Sequence, residues 1–397
     1  MKDSGSILKR SIIFFVSVIA IAGIFWSCSE EDDVVPVPTI SAITPAEALV
    51  GEEVIIAGEH FSYTLAENIV SFNGTPATVT EAIPIQLTTT VPEGATFGEG
   101  DVTVTVNGQV SNSISFTVKD YPTPTITAIS LELVMAGDEV TITGTNFSAT
   151  PADNTVSFNG TTATVTASTE TSITTTVPDG ATTGEITVSV NGKVSNGVAF
   201  LYGFKVTIAN SGDDAEEYMV SGIDSGFVDL TSSDLELCTE GDLEQQVIGL
   251  IFRDIQIPPS ATIDNAYIQF TCDDDDNQEG PLPIDIHGFA EANTSAPFSE
   301  AIAFDISSRT NTTATVNWQA PIWAVKNEKG PDQATPNLKA IVQEIIGLPG
   351  WAAGNNIGFK FTNDETLSIH REAEAWDEFE GGSAGSPPEL IVIFTVQ

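Results

Sequence analysis

Val70-Ser71-Phe72-Asn73-Gly74-Thr75 returns as Val156-Ser157-Phe158-Asn159-Gly160-Thr161, the same six residues shifted from position 70 to position 156. Working outward at that shift, Pro38-Thr39-Ile40-Ser41-Ala42-Ile43 matches Pro124-Thr125-Ile126-Thr127-Ala128-Ile129. Gly51-Glu52-Glu53-Val54 matches Gly137-Asp138-Glu139-Val140, Asn68 matches Asn154, and Val91-Pro92 matches Val177-Pro178. After a short deletion near Gly184, Val106-Asn107-Gly108 pairs with Val190-Asn191-Gly192, and Val110-Ser111-Asn112 with Val194-Ser195-Asn196. A match this long means one structural unit used twice.

Each copy reads as a small antiparallel sandwich. Val54 and Ile56, then Val140 and Ile142, alternate with outward residues as half-buried strands require. Asn73-Gly74, Asn107-Gly108, Asn159-Gly160 and Asn191-Gly192 suit tight turns that need positive φ. Gly58-Glu59-His60-Phe61 and Gly144-Thr145-Asn146-Phe147 turn the chain and drop a phenylalanine into the core, which makes His60 a turn residue. On these motifs both copies resemble IPT/TIG domains, an immunoglobulin-like fold, over residues 38–118 and 124–201. The resemblance implies stalk domains, with residues 119–123 as a proline-spaced linker.

The first residues give an address. Lys2, Lys9 and Arg10 precede an apolar run, Ser11 to Trp26, and Ser27-Cys28 closes it. That is the anatomy of a removable export signal over residues 1–27. It resembles a bacterial lipoprotein signal, which implies lipidation of Cys28 and an anchor in the outer membrane. Ser29-Glu30-Glu31-Asp32-Asp33, within an acidic and proline-rich tether at 28–37, is similar to the tag that sends Bacteroidota-type lipoproteins to the cell surface. A solvated acidic spacer is the plain alternative.

Composition sets the partners. The chain has 397 residues and a net charge of −42, with 13 Lys plus Arg against 55 Asp plus Glu. Nucleic acid is excluded, because no cation cluster outside the leader could displace phosphate counterions. Three cysteines are present. With Cys28 lipidated, Cys238 and Cys272 are candidates for a disulfide in an oxidising compartment; two buried thiols are the other reading.

Residues 203–397 differ in character. Strand-like runs recur, and Leu390-Ile391-Val392-Ile393-Phe394 is apolar on both faces, which predicts a central strand. One helix is expected, with Pro336 in its first turn, a stripe of Leu338, Ile341, Val342, Ile345 and Ile346, and Gly347 at its end. The fold class is therefore all-β: two tandem immunoglobulin-like sandwiches followed by a larger β-sandwich with one helix. Asp213-Asp214-Ala215-Glu216-Glu217, Val316-Asn317-Trp318, Pro349-Gly350-Trp351 and Arg371-Glu372-Ala373-Glu374 are similar to a jelly-roll-like module of secreted bacterial proteins, a resemblance that brings no defined activity.

Two chemistries stand out there. Asp214, Glu216, Asp234, Glu236 and Asp273 are candidate Ca²⁺ ligands, since Ca²⁺ takes six to eight oxygens and often pins sandwich loops. Solvated loop charge is the bland counterpart. Trp376, Trp323 and Trp318 are candidate stacking residues for sugar rings, against a core-packing role for any one of them. Catalysis finds no support: Gly381-Gly382-Ser383-Ala384-Gly385 has the nucleophile-elbow pattern but lacks the strand-to-helix context. The expectation is a non-catalytic surface lipoprotein whose terminal sandwich binds extracellular polysaccharide, with an outer-membrane transporter complex as a further partner. A structural or adhesive protein without a small ligand, and an unrecognised glycan hydrolase, stay open as alternatives.

Overall fold

The computed structural model describes residues 36–219, 226–237, 239–240, 244–274, 279–363, 369–377 and 386–396. The leader, Cys28 and the acidic run fall outside the described residues. So does Cys238, and with it the candidate disulfide; Cys272 is buried. None of the described helices is long and apolar enough to cross a membrane.

The chain forms two compact units, residues 1–120 and 121–397. In the first, Thr39–Thr44, Glu53–Glu59, Gln86–Thr90 and Val79–Ile83 make one sheet. Glu47–Leu49, Ile114–Lys119, Gly98–Val106, Asn68–Phe72 and Thr75–Ala77 make the other. Val54, Ile56, Val70, Phe72, Val104 and Phe116 fill the space between them. The repeated residues do the same work in both copies. Phe72 meets Phe116 edge-on at 5.1 Å, and Phe158 meets Phe200 at 5.2 Å. Asn112 both accepts from and donates to the Ile40 backbone, and Asn196 does so for Ile126. Asn73 and Asn159 sit at φ 46° and 45°, each followed by a positive-φ glycine, which closes the turns that the Asn-Gly pairs predict. His60 and Asn146 take matching left-handed conformations at φ 63° and 60°, and Phe61 and Phe147 are buried behind them. A Cβ at Gly58 or Gly144 would collide with those rings.

In the second unit the expected joint at Tyr202-Gly203 falls inside one ten-residue strand, β1 (Val198–Thr207). Its first part pairs with Gly184–Ile186 of the second repeat, and its last five residues pair with Glu389–Ile393 near the end of the chain. One sheet therefore serves both sandwiches, because a single strand hydrogen-bonds to both. Besides a two-residue strand at Thr239–Glu240, the other described strands of the C-terminal part are β2 (Asp214–Met219), β3 (Gly226–Asp229), β4 (Asp234–Glu236), β5 (Glu244–Ile255), β6 (Thr262–Gln269), β7 (Cys272–Asp274), β8 (Leu282–Phe289), β9 (Asn311–Ala320), β10 (Asn355–Thr362), β11 (Glu372–Glu374) and β12 (Glu389–Thr395). One large sheet runs β3-β2-β5-β10-β8-β9; a second layer carries β1-β12-β6; a small third sheet runs β4-β11-β7.

The helix, α1 (Lys339–Ile346), buries Ile341, Val342, Ile345 and Ile346. Pro336 is not in its first turn as expected. It lies three residues before the helix, in a segment whose Thr335 and Leu338 amides donate to Ile268 and Ala266 of β6. Side chains clamp the helix in place. Gln343 accepts from Ile263 N–H and donates to the Ala261 carbonyl, while Glu344 accepts from Thr313 and Ala314.

Two of the three candidate stacking tryptophans are core residues. Trp323 is fully buried against Phe270 and Trp318, with its Nε1 donating to the Asp332 carbonyl at 2.9 Å. Trp318 stacks on Phe270 at 6.0 Å and is 3% exposed. Trp323 offers no ring face to a sugar, whereas Trp318 reaches the lining of the open groove beside β6. Burying an indole removes a large apolar surface from water, and the turn-rich sequence around Pro321 hides that it closes the core. Trp376 is half-buried.

Candidate functional site

β12 lies between β1 and β6, so it is central, but its two apolar faces do not meet the same surroundings. Leu390, Val392 and Phe394 enter the main core. Ile391 and Ile393 point to the other side and belong to none of the core clusters. Register makes that outer face explicit. Ile391 is flanked by Lys205 and Tyr267, Ile393 by Gly203 and Asn265, and Glu389 by Thr207 and Gln269. On β6, Asn265, Tyr267 and Gln269 therefore line one side at alternate positions, all half-buried.

An open groove of about 700 Å³ adjoins this face. Its lining includes Asn265, Tyr267, Gln269, Lys329, Thr335 and Asn337. A second open pocket of about 480 Å³ flanks β1 on the opposite side, where Gly203, Phe204 and Lys205 meet residues 130–138. Lys205 and Lys329 both bond the Glu389 carboxylate, at 3.0 and 2.8 Å. Burial raises the Glu389 pKa, but the two lysines outweigh it and hold the group below its usual value. The groove thus combines Tyr267, Trp318, Pro321, Pro331 and Pro336 with the amides of Asn265, Gln269 and Asn337, the Thr335 hydroxyl and Lys329. Among the described residues, no carboxylate lines the larger groove.

The candidate cation ligands divide between two places. The motif Asp213-Asp214-Ala215-Glu216-Glu217 alternates across β2, so its acids point two ways. Asp213 binds Arg253, and Glu217 accepts from Ile306 and Ser307 N–H at 2.7 and 3.0 Å. Asp214 and Glu216 face the opposite side. Glu216 accepts from Glu236 N–H at 2.7 Å and from the Tyr218 hydroxyl at 3.1 Å. Burial, then the neighbouring Glu236, raises the Glu216 pKa strongly. Burial likewise pushes Asp214 up to about 7, against the opposing bond from Trp376 N–H.

Asp234 and Asp273 gather instead with Glu372 on the small sheet, their oxygens within 4.8 Å of one another. Cationic side chains already meet this group: Lys326 contacts Asp273 at 3.2 Å and His370 contacts Glu372 at 2.8 Å. Arg371, fully buried, donates to the Pro321, Gly280, Ala320 and His370 carbonyls, and burial brings its pKa down to about 10. It ties its own strand to the segments at Gly280 and Ala320–Pro321.

Sequence reasoning missed Tyr267 as a site residue. The signal was the polar–aromatic–polar spacing of Asn265, Tyr267 and Gln269, which falls on one strand face. β12 is the central strand that its two-sided apolarity predicts, and Leu390 to Phe394 are buried on both faces.

Comparison with known proteins identifies IPT/TIG domains at residues 38–118 and 124–202. No curated protein matches the chain. Among solved structures, SGBP-B from a complex xyloglucan utilization locus in Bacteroides uniformis is 15% identical, with 91% of this chain and 100% of that one covered and a TM-score of 0.22. Surface glycan-binding protein PbSGBP-B from Prevotella bryantii is also 15% identical, covering 91% and 99%, with a TM-score of 0.22. The extracellular region of plexin A4 is 20% identical over 42% of this chain, with a TM-score of 0.25, and the match spans 18% of the plexin chain.

Proposed function

We propose that the C-terminal sandwich binds extracellular polysaccharide, without catalysis, along the outer face of β1, β12 and β6. The observation that carries this reading is the open groove beside β6, where Asn265, Tyr267 and Gln269 share one sheet face and Trp318 joins them in the lining. A sugar ring has apolar C–H faces and a rim of hydroxyls. The former suit the Tyr267, Trp318 and proline lining; the latter suit amides and hydroxyls such as Asn265, Gln269, Thr335 and Asn337. An open groove admits internal stretches of a chain, not only its ends. The net charge of −42 favours a neutral polymer over an anionic one. The lining without carboxylates supports binding over glycoside hydrolysis, which needs a pair of them.

The leader supplies the location in this reading: lipid on Cys28 anchors the chain at the outer cell surface, with the two immunoglobulin-like domains between anchor and sandwich. Affinity electrophoresis of the full chain against a panel of soluble neutral polysaccharides tests the binding. Retarded migration on at least one of them, relieved in Tyr267→Ala and Asn337→Ala, is the expected result. Equal retardation of both variants and the parent removes this face as the site. Replacing Cys28 with Ser should release the chain from the membrane fraction.

A further inference from the structure

The two immunoglobulin-like repeats share a fold but not a surface. In the first, Tyr63 is 76% exposed, and Leu65, Ile83 and Ile85 are exposed with it. At the shift that relates the copies, the second repeat carries Ala149, Pro151, Thr169 and Thr171 instead. The backbone beneath is the same. Gly58 N–H donates to the Ile85 carbonyl and Phe61 N–H to that of Pro84, at 3.0 and 3.1 Å. Gly144 and Phe147 donate to Thr171 and Glu170 at those same distances. The fold therefore accepts small and polar side chains at these positions. Single exposed apolar residues are ordinary on a protein surface, but a group confined to one of two copies is a property of that copy.

The four lie at one end of the first unit. Ile83 and Ile85 flank Pro84 in the turn between strands Val79–Ile83 and Gln86–Thr90, and Tyr63 closely follows the Phe61 that bonds this turn. The turn at Leu65–Glu67 packs against Val79–Ile83. The described chain enters here as well: His60 Nδ1 donates to the Val37 carbonyl at 3.1 Å, and Val37 is exposed. The chain leaves from the other end, where Lys119 pairs with Leu49 beside the start of strand Glu53–Glu59. That strand's seven residues put about 20 Å between entry and exit. Nine residues separate Val37 from Cys28, so Val37 lies within about 30 Å of it even at full extension. Lipid on Cys28 keeps this apolar end within reach of the bilayer.

We propose that Tyr63, Leu65, Ile83 and Ile85, with Val37, seat the first repeat on a lipid surface, adding an apolar contact to the acyl anchor. The proposal rests on lipid at Cys28 and is independent of the polysaccharide groove. A tyrosine ring suits the headgroup level, and aliphatic side chains suit the acyl boundary, where binding strengthens with buried apolar area. Glu59, Glu67 and Glu81 are exposed around the patch and favour neutral headgroups over anionic ones.

The test uses the lipidated full chain in phosphatidylcholine vesicles whose acyl chains carry bromine, which quenches indole fluorescence on contact. Mass spectrometry first reads the acyl group on Cys28; its absence refutes the anchor and this proposal together. Tyr63→Trp puts an indole in the patch, and the added emission should fall roughly two-fold or more in brominated against plain vesicles. Ala149→Trp, the matching position in the second repeat, should show no such loss. Ile83→Thr with Ile85→Thr installs the residues that the second repeat already carries, so the melting temperature should hold. That pair should speed transfer of the lipidated chain between vesicles roughly ten-fold. A lipidated chain whose Tyr63→Trp emission is equal in both vesicles overturns the docking and leaves the anchor standing. So does sedimentation of the Cys28→Ser chain as a dimer that the Ile83→Thr, Ile85→Thr pair dissolves, since a second copy then occupies the patch.

Discussion

Val392 and Ile391 are neighbours on β12, both shielded from solvent, yet they should respond to mutation in opposite ways. Val392 is fully buried in the main core. Val392→Ala removes two carbons from a packed site, about 1.6 kcal/mol of transfer plus a cavity term, for a total of roughly 2–3 kcal/mol. For a unit of this size that lowers Tm by roughly 5–10 °C. Ile391 is 7% exposed, outside the core, and has Lys205 and Tyr267 as cross-strand neighbours. Those long side chains are free to settle over a smaller residue, so Ile391→Thr should cost about 1 kcal/mol or less. The same substitution removes the apolar support beside Tyr267, its cross-strand neighbour in the groove floor, and should weaken polysaccharide by about 5–30-fold, equivalent to roughly 1–2 kcal/mol. Val392→Ala should leave affinity near the parent value below its melting range. Scanning calorimetry and affinity electrophoresis on the two proteins, side by side, make the comparison. If Ile391→Thr melts as early as Val392→Ala, the outer face is a second core. If Ile391→Thr is stable but binds unchanged, the floor is not a binding surface.

Trp323→Ala should behave as a core lesion, costing roughly 3–5 kcal/mol because the indole packs between Phe270 and Trp318; a Tm within 2–3 °C of the parent (~1 kcal/mol) would contradict that burial. Stability should also depend on pH through Asp234, which burial, followed by Glu236 and Glu372, pushes up to about 6. The folded chain then holds this proton more tightly than the unfolded chain does, so its contribution is complete below about pH 4 and is lost as pH rises through 6. His370, raised by its bond to Glu372, acts in the same direction at higher pH. Melting temperatures from pH 4 to 7.5 should fall, and Asp234→Asn should flatten the lower part of that slope. A slope identical in the variant would remove Asp234 as its source.

The immunoglobulin-like repeats were legible because their determinants are local. An Asn-Gly turn, a positive-φ residue at His60 or Asn146, and alternating valines each act within a few residues, and two copies repeat the message. The helix was legible from its stripe, though not its first turn, since Pro336 answers to β6 and not to the helix. The acids were found by type but not by company. Asp214 and Asp234 are 20 positions apart in the chain and read alike, yet one faces Asp229 and Asp377 while the other joins Asp273 and Glu372.

What the chain's order of residues determined by itself was class and modularity: strand periodicity, turn positions and the duplicated unit. What only tertiary structure decided was which apolar and acidic side chains share a surface. Trp323 vanished into the core, Ile391 and Ile393 were buried on the opposite face of β12 from it, and β1 joined two sandwiches that composition alone would separate. Periodicity assigns a residue to one side of a strand through backbone geometry over a few ångströms. Whether a second layer covers that side depends on segments more than a hundred residues away, here β1 against β12, and no local pattern encodes them.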